Sequence, residues 1–496
     1  MEDPRLITKT EFVRGLDCVR RVWLDRNRRD LKPPLSLANQ ERIEVGKRLG
    51  KLAQERYDAG VLATQPGAQA SEAAESTKAL LDSGADCLFE ATFLSGNRLA
   101  RLDILSKHDD GGWIIDEVKS SSVKEPKKID DDKVFDLAFQ LQVALETGLQ
   151  FSQARLVLVD TSYIWDGSPI TGQTLLGTVD MTELCEKKSE EVLSLCSMLS
   201  EALQSDSEPV VETNTHCKSC DYFDHCHKSS PKHDLIFLPR ITSNAVNDLR
   251  AKGYTSIDQI PDAEKLTDAR RRMRDVIVAG QPFISEGLRP ALDAIPFPAV
   301  FIDYESSNPA FPMYPGTRPY QQVCFQWSAH LLDSPESAPR HFEYLASSLE
   351  DPRAEFCRSL WELVKDCAAI VHYTGYEITQ LRAMATDGVP LAAELLDLIL
   401  ARSVDLEKIV SEHIYFEAFK GKTSIKVVLP ALVPAMSYKD LLIADGTAAA
   451  TGFRKMLDPN TSKDEATSLR SALLAYCCQD TLAMVEIYRA LRALAP

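Results

Sequence analysis

The chain has 496 residues, 44 % hydrophobic and 26 % charged, with a formal net charge of −17. That length exceeds one ordinary core, so two or three domains are expected, and the composition is that of a globular chain. The acidic balance argues against a protein that coats nucleic acid with one basic face, although metal ions can reverse the field at an acidic site.

Residues 4–60 read as helices, with Thr8 and Glu11 spaced as a capping box ahead of an amphipathic run. The acidic start, MEDPRLITKTEF, lacks the apolar stretch of a signal peptide, and no apolar run is long enough to cross a bilayer. A cytoplasmic protein without a membrane partner is expected. From Cys87 to Lys119 the pattern turns to strands, and the turn signals at Ser95–Asn97 and His108–Gly112 predict a three-stranded meander. A helix is expected around Val134–Leu145, a strand at Ala154–Val159 and a long helix near Thr182–Leu203. Residues 231–295 read as a connector of short helices. From residue 296 to the end, strands come first (PAVFIDYES, QQVCFQWSAHLL, HFEYLA), then helix 352–366, strand AAIVHY and further helices, which predicts an α/β domain. Two arginine clusters stand out, one at Arg14, Arg20, Arg21, Arg26, Arg28 and Arg29, the other at Arg270, Arg271, Arg272 and Arg274; the second reads as a solvated helix face.

In a strand alternate residues share a face, so Glu117 and Lys119 project to one side. Across the turn at 108–112, Asp103 lies on the preceding strand of the same hairpin. Two carboxylates offer hard oxygen ligands to Mg²⁺ or Mn²⁺, and the lysine can orient a water or offset the added anion. By itself Asp-x₁₃-Glu-x-Lys is a weak pattern and suits an exposed hairpin equally well. It gains weight because both carboxylates are embedded in apolar strands and because cysteines bracket the whole module.

On these residues, 5–230 resembles the RecB-like branch of the PD-(D/E)XK nucleases, similar to the CRISPR-adaptation exonucleases and the AddAB nuclease domain. The resemblance implies a restriction-endonuclease-like fold over 1–230, metal on Asp103 and Glu117, Lys119 as the water-activating residue, and Gln140 facing nucleic acid. It also implies that Cys18, with Cys217, Cys220 and Cys226, holds a [4Fe–4S] cluster joining the two ends of the domain. Zinc on the four thiolates is the alternative, with His216, His225 and His227 as substitutes. The other eight of the twelve cysteines read as core filler. Two departures stand out: Gly50 occupies the place of a histidine four residues after Gly46, leaving Glu44 or Glu55 as candidate replacements, and Ala144 stands where a tyrosine usually follows Gln140.

Phe301-Ile-Asp303-Tyr-Glu305 puts two more carboxylates on one face of an apolar strand, a costly arrangement unless they meet cations. Near the C-terminus, Tyr476 and Asp480 lie one helical turn apart. This order resembles the DEDDy class of 3′–5′ exonucleases, whose domain is ribonuclease H-like, and places that fold over 296–496. The resemblance makes Asp303, Glu305, Glu377 and Asp480 metal ligands and gives Tyr476 a part in placing the attacking water. Glu377 stands where the class has aspartate; Asp405 is the alternative, with a helix N-cap as its ordinary role. The complete chain resembles a prokaryotic family of RecB-like nucleases with both domains fused. In that family's second-domain segments, Arg318 and Lys426 are phosphate-contact or ion-pair candidates.

The expected function is therefore a Mg²⁺- or Mn²⁺-dependent nuclease acting on single-stranded DNA ends, with RNA as a possible substrate and a helicase or a repair or defence protein as a possible partner. The competing expectations are a single-site or non-catalytic nucleic-acid-binding scaffold, and a phosphodiesterase for small nucleotides.

Overall fold

Apolar residues at nearly every position of Leu102–Leu105 and Trp113–Ile115 require strands covered on both faces, and the chain supplies those covers as helices before and after the meander. The computed structural model describes residues 6–65, 67–438 and 441–496; the acidic start at residues 1–5 lies outside the described residues. The chain is mixed α/β with several sheets and divides into two compact units. Unit 1 runs to Lys228 and includes Ala310–Tyr320; unit 2 comprises Ser229–Pro309 and Gln321–Pro496.

Unit 1 is built on β1 (Ile7–Thr8), β2 (Val61–Leu62), β3 (Cys87–Ser95), β4 (Arg98–Lys107), β5 (Trp113–Ser122), β6 (Phe151–Val159) and β7 (Leu176–Asp180). Their order is β2-β3-β4-β5-β6-β7, with β1 paired to β4. The meander β3–β4–β5 is antiparallel, whereas β6 runs parallel to β5, so the chain must cross over between them. Helix Asp131–Leu145 makes that crossing. Its residues Phe135 and Phe139 join Phe12, Leu102, Leu156 and Leu199 in the main core, where Phe12 stacks on Phe139 at 4.6 Å. The other sheet face carries Ile104, Val157 and Val159, covered by Leu49, Leu52 and Phe311.

Two local differences from the sequence expectation have direct causes. Ile7–Thr8 is a strand because Thr8, as N-cap of Lys9–Asp17, must be extended, and its capping box with Glu11 is formed. The helix expected at Thr182–Leu203 is two helices, Thr182–Lys187 and Ser189–Gln204, because Lys188 N–H turns back to Cys185 O in a tightened last turn.

Unit 2 contains β8 (Phe283–Ile284), β9 (Ala299–Ser307), β10 (Val323–Leu332), β11 (Arg340–Leu345), β12 (Ala369–His372), β13 (Ser403–Asp405) and β14 (Ile414–Tyr415). The main sheet has the order β11-β10-β9-β12-β13, the first three strands antiparallel and β12 and β13 parallel to β9. Residues 231–295 lie within this unit, and their β8 pairs with β14. The 32-residue helix Lys463–Leu494 packs along β9 and β10. Both arginine clusters are tied into their own units. Arg14, Arg20, Arg26 and Arg28 pair with Asp25, Glu208, Glu11 and Asp30, while Arg270 and Arg272 bond backbone carbonyls. Among the described residues no helix is long and apolar enough to cross a membrane.

Candidate metal centres

In unit 1 the β4–β5 register sets Asp103 across from Glu117, and Val118 N–H donates to Asp103 Oδ2 at 2.8 Å. Lys119 donates to Glu117 Oε1 at 2.7 Å and also to Asp136. A second ammonium, unseen in the sequence, comes from Lys9: it bonds both oxygens of Glu117 at 2.8 and 3.1 Å and lies 3.8 Å from Asp103 Oδ1. Burial, and then the Glu117 charge, push Asp103 up to about 7. Burial alone would raise Glu117 too, but Lys119 and Lys9 hold it down to about 2. Asp136 is raised by burial and by Glu117.

Lys9, Asp103 and Glu117 open on a cleft of about 830 Å³ lined also by Glu90, Arg101, Lys47, Arg48 and Lys51. Glu90 sits in β3 with φ +56, unpaired between Phe89 and Ala91; this left-handed backbone aims a further acid toward Lys9, Arg101 and Glu117. Gly46 and Gly50 line the same cleft from helix Leu37–Gln54, and a Cβ at either would meet nothing within 4 Å. Glu44 also lines it, whereas Glu55 is exposed at that helix's C-cap. Carboxylate oxygens at an open cleft suit a hard divalent ion, though Lys9 already neutralises part of the set.

One expectation is corrected. Gln140 does not face outward: it is 0 % exposed, and its Nε2 donates to Asp136 Oδ1 at 3.1 Å. Helix Asp131–Leu145 buries nearly every residue of its central turns, so the glutamine is a positioning group for Asp136 instead of a nucleic-acid contact. The pair Asp136 and Gln140, four apart among the apolar residues of Val134–Leu141, was a legible signal. Lys9 had none, being 108 positions from its partner.

In unit 2, Asp303 and Glu305 share a face of β9, and their ligand oxygens lie within 4.8 Å of each other and of Cys477 Sγ. Asp480 accepts from Tyr438 OH at 2.6 Å and from Tyr476. Lys426 Nζ donates to Tyr476 OH at 3.1 Å. Burial pushes Asp303, Glu305 and Glu377 well up, and Asp480 up to about 6; Asp480 adds to the rise at Asp303, and Asp303 to those at Glu305 and Glu377. Lys426 is the cation whose field reaches Asp303, Glu305 and Asp480. Burial also raises Tyr476 and Tyr438 strongly, so both phenols stay protonated and act as donors.

Glu377 is 2 % exposed, and its Oε2 has no hydrogen-bond partner among the described residues. Asp405 caps helix Leu406–His413, accepting from Lys408 N at 3.0 Å, and the charges of Asp303 and then Asp405 act on Glu377. Buried, mutually repelling carboxylates with an orphaned oxygen fit a divalent cation of hard-ligand preference.

Cys18, Cys217, Cys220 and Cys226 line one cavity of about 80 Å³ in unit 1. Burial raises Cys220 and Cys226, and the neighbouring cysteines add to it. Thiols so gathered fit a metal or cluster that takes thiolate ligands. His216 lines the cavity, but His225 is paired with Glu208 at 3.1 Å and His227 stacks on Phe223.

Among protein families, one described as a domain of unknown function, DUF2779, matches residues 300–424. No curated protein matches the chain. Among solved structures, a protein called SSO0001 is similar at 15 % identity, with 46 % of this chain and 87 % of that one covered and a TM-score of 0.26. The family B DNA polymerase of the hyperthermophilic archaeon Pyrobaculum calidifontis is similar at 14 % identity, with 77 % of this chain and 43 % of that one covered and a TM-score of 0.28.

Proposed function

We propose that the chain is a metal-dependent nuclease that hydrolyses phosphodiester bonds at single-stranded DNA ends. On this reading unit 1 holds a RecB-like PD-(D/E)XK centre and unit 2 a ribonuclease H-like centre of the DEDDy type. The observation that carries it is the burial of Asp303, Glu305, Glu377 and Asp480 around one another, with Lys426 as the nearby cation. Such a set is unfavourable in the protein alone and becomes favourable with divalent cations, which would lower the pKa of an attacking water and stabilise the departing oxygen. Asp303, Glu305, Glu377 and Asp480 would hold those ions. Tyr476, a protonated donor fixed by Lys426, would orient the nucleophile, and Tyr438 would hold Asp480 in place.

Sheet topology supports both fold readings: a meander followed by a parallel strand across one helix in unit 1, and the order β11-β10-β9-β12-β13 in unit 2. In unit 1, Lys47, Arg48, Lys51 and Arg101 put cations beside Asp103 and Glu117, where a phosphodiester strand would lie. The four cysteines would hold a [4Fe–4S] cluster that ties the start of unit 1 to its end.

A second reading has its own observation. Lys9 already sits on Glu117, so unit 1 can be charge-balanced without metal and serve only to hold the strand. Oligonucleotides labelled at the 5′ or 3′ end, with Mg²⁺ or Mn²⁺, separate the two. With two working centres, Lys119→Ala and Asp303→Ala each remove one product ladder. With a binding-only unit 1, Lys119→Ala leaves every product in place and Asp303→Ala removes them all. If the wild type cuts nothing with either metal, the nuclease reading is wrong.

A further inference from the structure

Outside the four acids, the same sheet face of unit 2 carries a second set of ligand-type groups. His330 on β10 pairs across the strands with His341 on β11, and their rings lie 4.7 Å apart. Cys478 reaches them from helix Lys463–Leu494, and a donor atom from each of the three falls within 4.8 Å of the others. Tetrahedral zinc sets its nitrogen and sulfur ligands about 3.3–3.8 Å apart, so modest side-chain rotation closes the set. Neither the acids nor the cysteine cavity uses these residues.

Hydrogen bonding around the histidines shows which nitrogens are available. Thr481 Oγ1 can donate its one proton to a helix carbonyl, Cys478 O at 3.1 Å or Cys477 O at 3.4 Å. With that proton on the carbonyl, its oxygen is left to accept from His330 Nδ1, 2.8 Å away, and from Ser328 Oγ, 2.9 Å away. With its proton committed to Thr481, Ser328 Oγ accepts from His341 Nε2 at 3.0 Å. In that arrangement His330 Nε2 and His341 Nδ1 carry the lone pairs that an ion could take. Hydroxyl and carbonyl partners behind the ligands are the usual outer support of a metal-binding histidine. His330 itself is 4 % exposed. Glu343, on the same strand as His341 and 3.9 Å from its Nε2, also acts on the Cys478 thiol and is the nearby carboxylate for a fourth position.

We propose that His330, His341 and Cys478 form a site for a borderline-soft divalent cation, zinc by its ligand chemistry, distinct from the hard-ligand acid centre. Binding would displace the Cys478 thiol proton to solvent and leave both imidazoles neutral. The ion would pin helix Lys463–Leu494 to β10 and β11. Cys478 lies midway between Tyr476 and Asp480, so the ion would set the height at which the helix presents both to β9. The site stands whether or not unit 2 cuts nucleic acid.

Co²⁺ is the probe, because its bond to thiolate gives a charge-transfer absorption that oxygen ligands do not. Anaerobically purified, chelator-treated full-length protein is titrated with Co²⁺, difference spectra are recorded, and bound Zn²⁺ is counted after exchange. Against Cys478→Ser measured in parallel, which cancels the four cysteines of unit 1 and the acids, the wild type should bind one further equivalent, show an added thiolate band and rise by about a further 5 °C in Tm at saturating Zn²⁺. Cys478→Ser and His330→Gln should lose the band, that one equivalent and the thermal shift, while Cys477→Ser keeps all three. The inference is overturned if the wild type gives no thiolate band, if Cys478→Ser retains it in full, or if Cys477→Ser abolishes it instead. Chelator-treated Cys478→Ser should match the wild type's Tm, which separates loss of the ion from loss of the fold.

Discussion

Asp303→Asn isolates what the acid centre of unit 2 costs the protein without metal. Two full charges with ligand oxygens within 4.8 Å of each other repel by about 3.5 kcal/mol or more at an effective dielectric near 20. The apo protein escapes part of that penalty by holding protons, and the variant also forfeits the Cys477 thiol bond to Asp303. The expected net gain is about 2 kcal/mol at pH 8, or roughly 4–8 °C in Tm for a unit of this size. The sign of the pH dependence follows from the raised carboxyls. Asp480 titrates near 6 in the folded state against an ordinary 3.8, so its penalty is absent below 3.8 and complete above 6. In chelator, wild-type stability should therefore fall as pH rises through that window, and the variant's should fall less. Mn²⁺ at a hundred times its Kd should return about 2.7 kcal/mol to the wild type and little to Asp303→Asn. Differential scanning fluorimetry across pH, with chelator or Mn²⁺, measures both effects. An apo Asp303→Asn protein less stable than the wild type at pH 8, with an undiminished Mn²⁺ shift, would refute the electrostatic account.

Removing the Lys9 ammonium should act in the opposite direction. Lys9→Met leaves Glu117 and Asp103 short of one cation and should lower apo stability by about 2 kcal/mol while enlarging the Mn²⁺-induced thermal shift of unit 1; an unchanged Mn²⁺ response would mean that Lys9 does not compete with metal. Gly50→His fills open space on the cleft side of a helix, so it should be tolerated, gain about 0.5 kcal/mol in helix propensity and tighten Mn²⁺ binding, checked by calorimetry; misfolding would show that the cleft is not open there. Cys220→Ser should cost the anaerobic protein its brown colour and iron and lower the Tm of unit 1. A colourless wild type with stoichiometric zinc at the four cysteines would replace the cluster with zinc.

What local pattern can carry was legible. Alternation placed Glu117 beside Lys119 and Asp303 beside Glu305, helical spacing placed Tyr476 near Asp480, and turn signals bounded the β3–β5 meander. Each depends on the two- or 3.6-residue period of one element and needs no knowledge of its neighbours. The capping role of Asp405 was equally local.

Tertiary structure decided the rest, because the deciding contacts join residues far apart in sequence. Lys9 meets Glu117 across 108 positions, Tyr438 meets Asp480 across 42, and His330 meets Thr481 across 151. Gln140 is the clearest case: its helical position was evident, but whether that face met solvent or core depended on the sheet beneath it. The sequence alone thus determined which acids could share a face. Only the fold determined which cation reached them first: Lys9 and Lys119 at Asp103 and Glu117, and Lys426 at Asp303, Glu305 and Asp480, where burial leaves the stronger demand for metal.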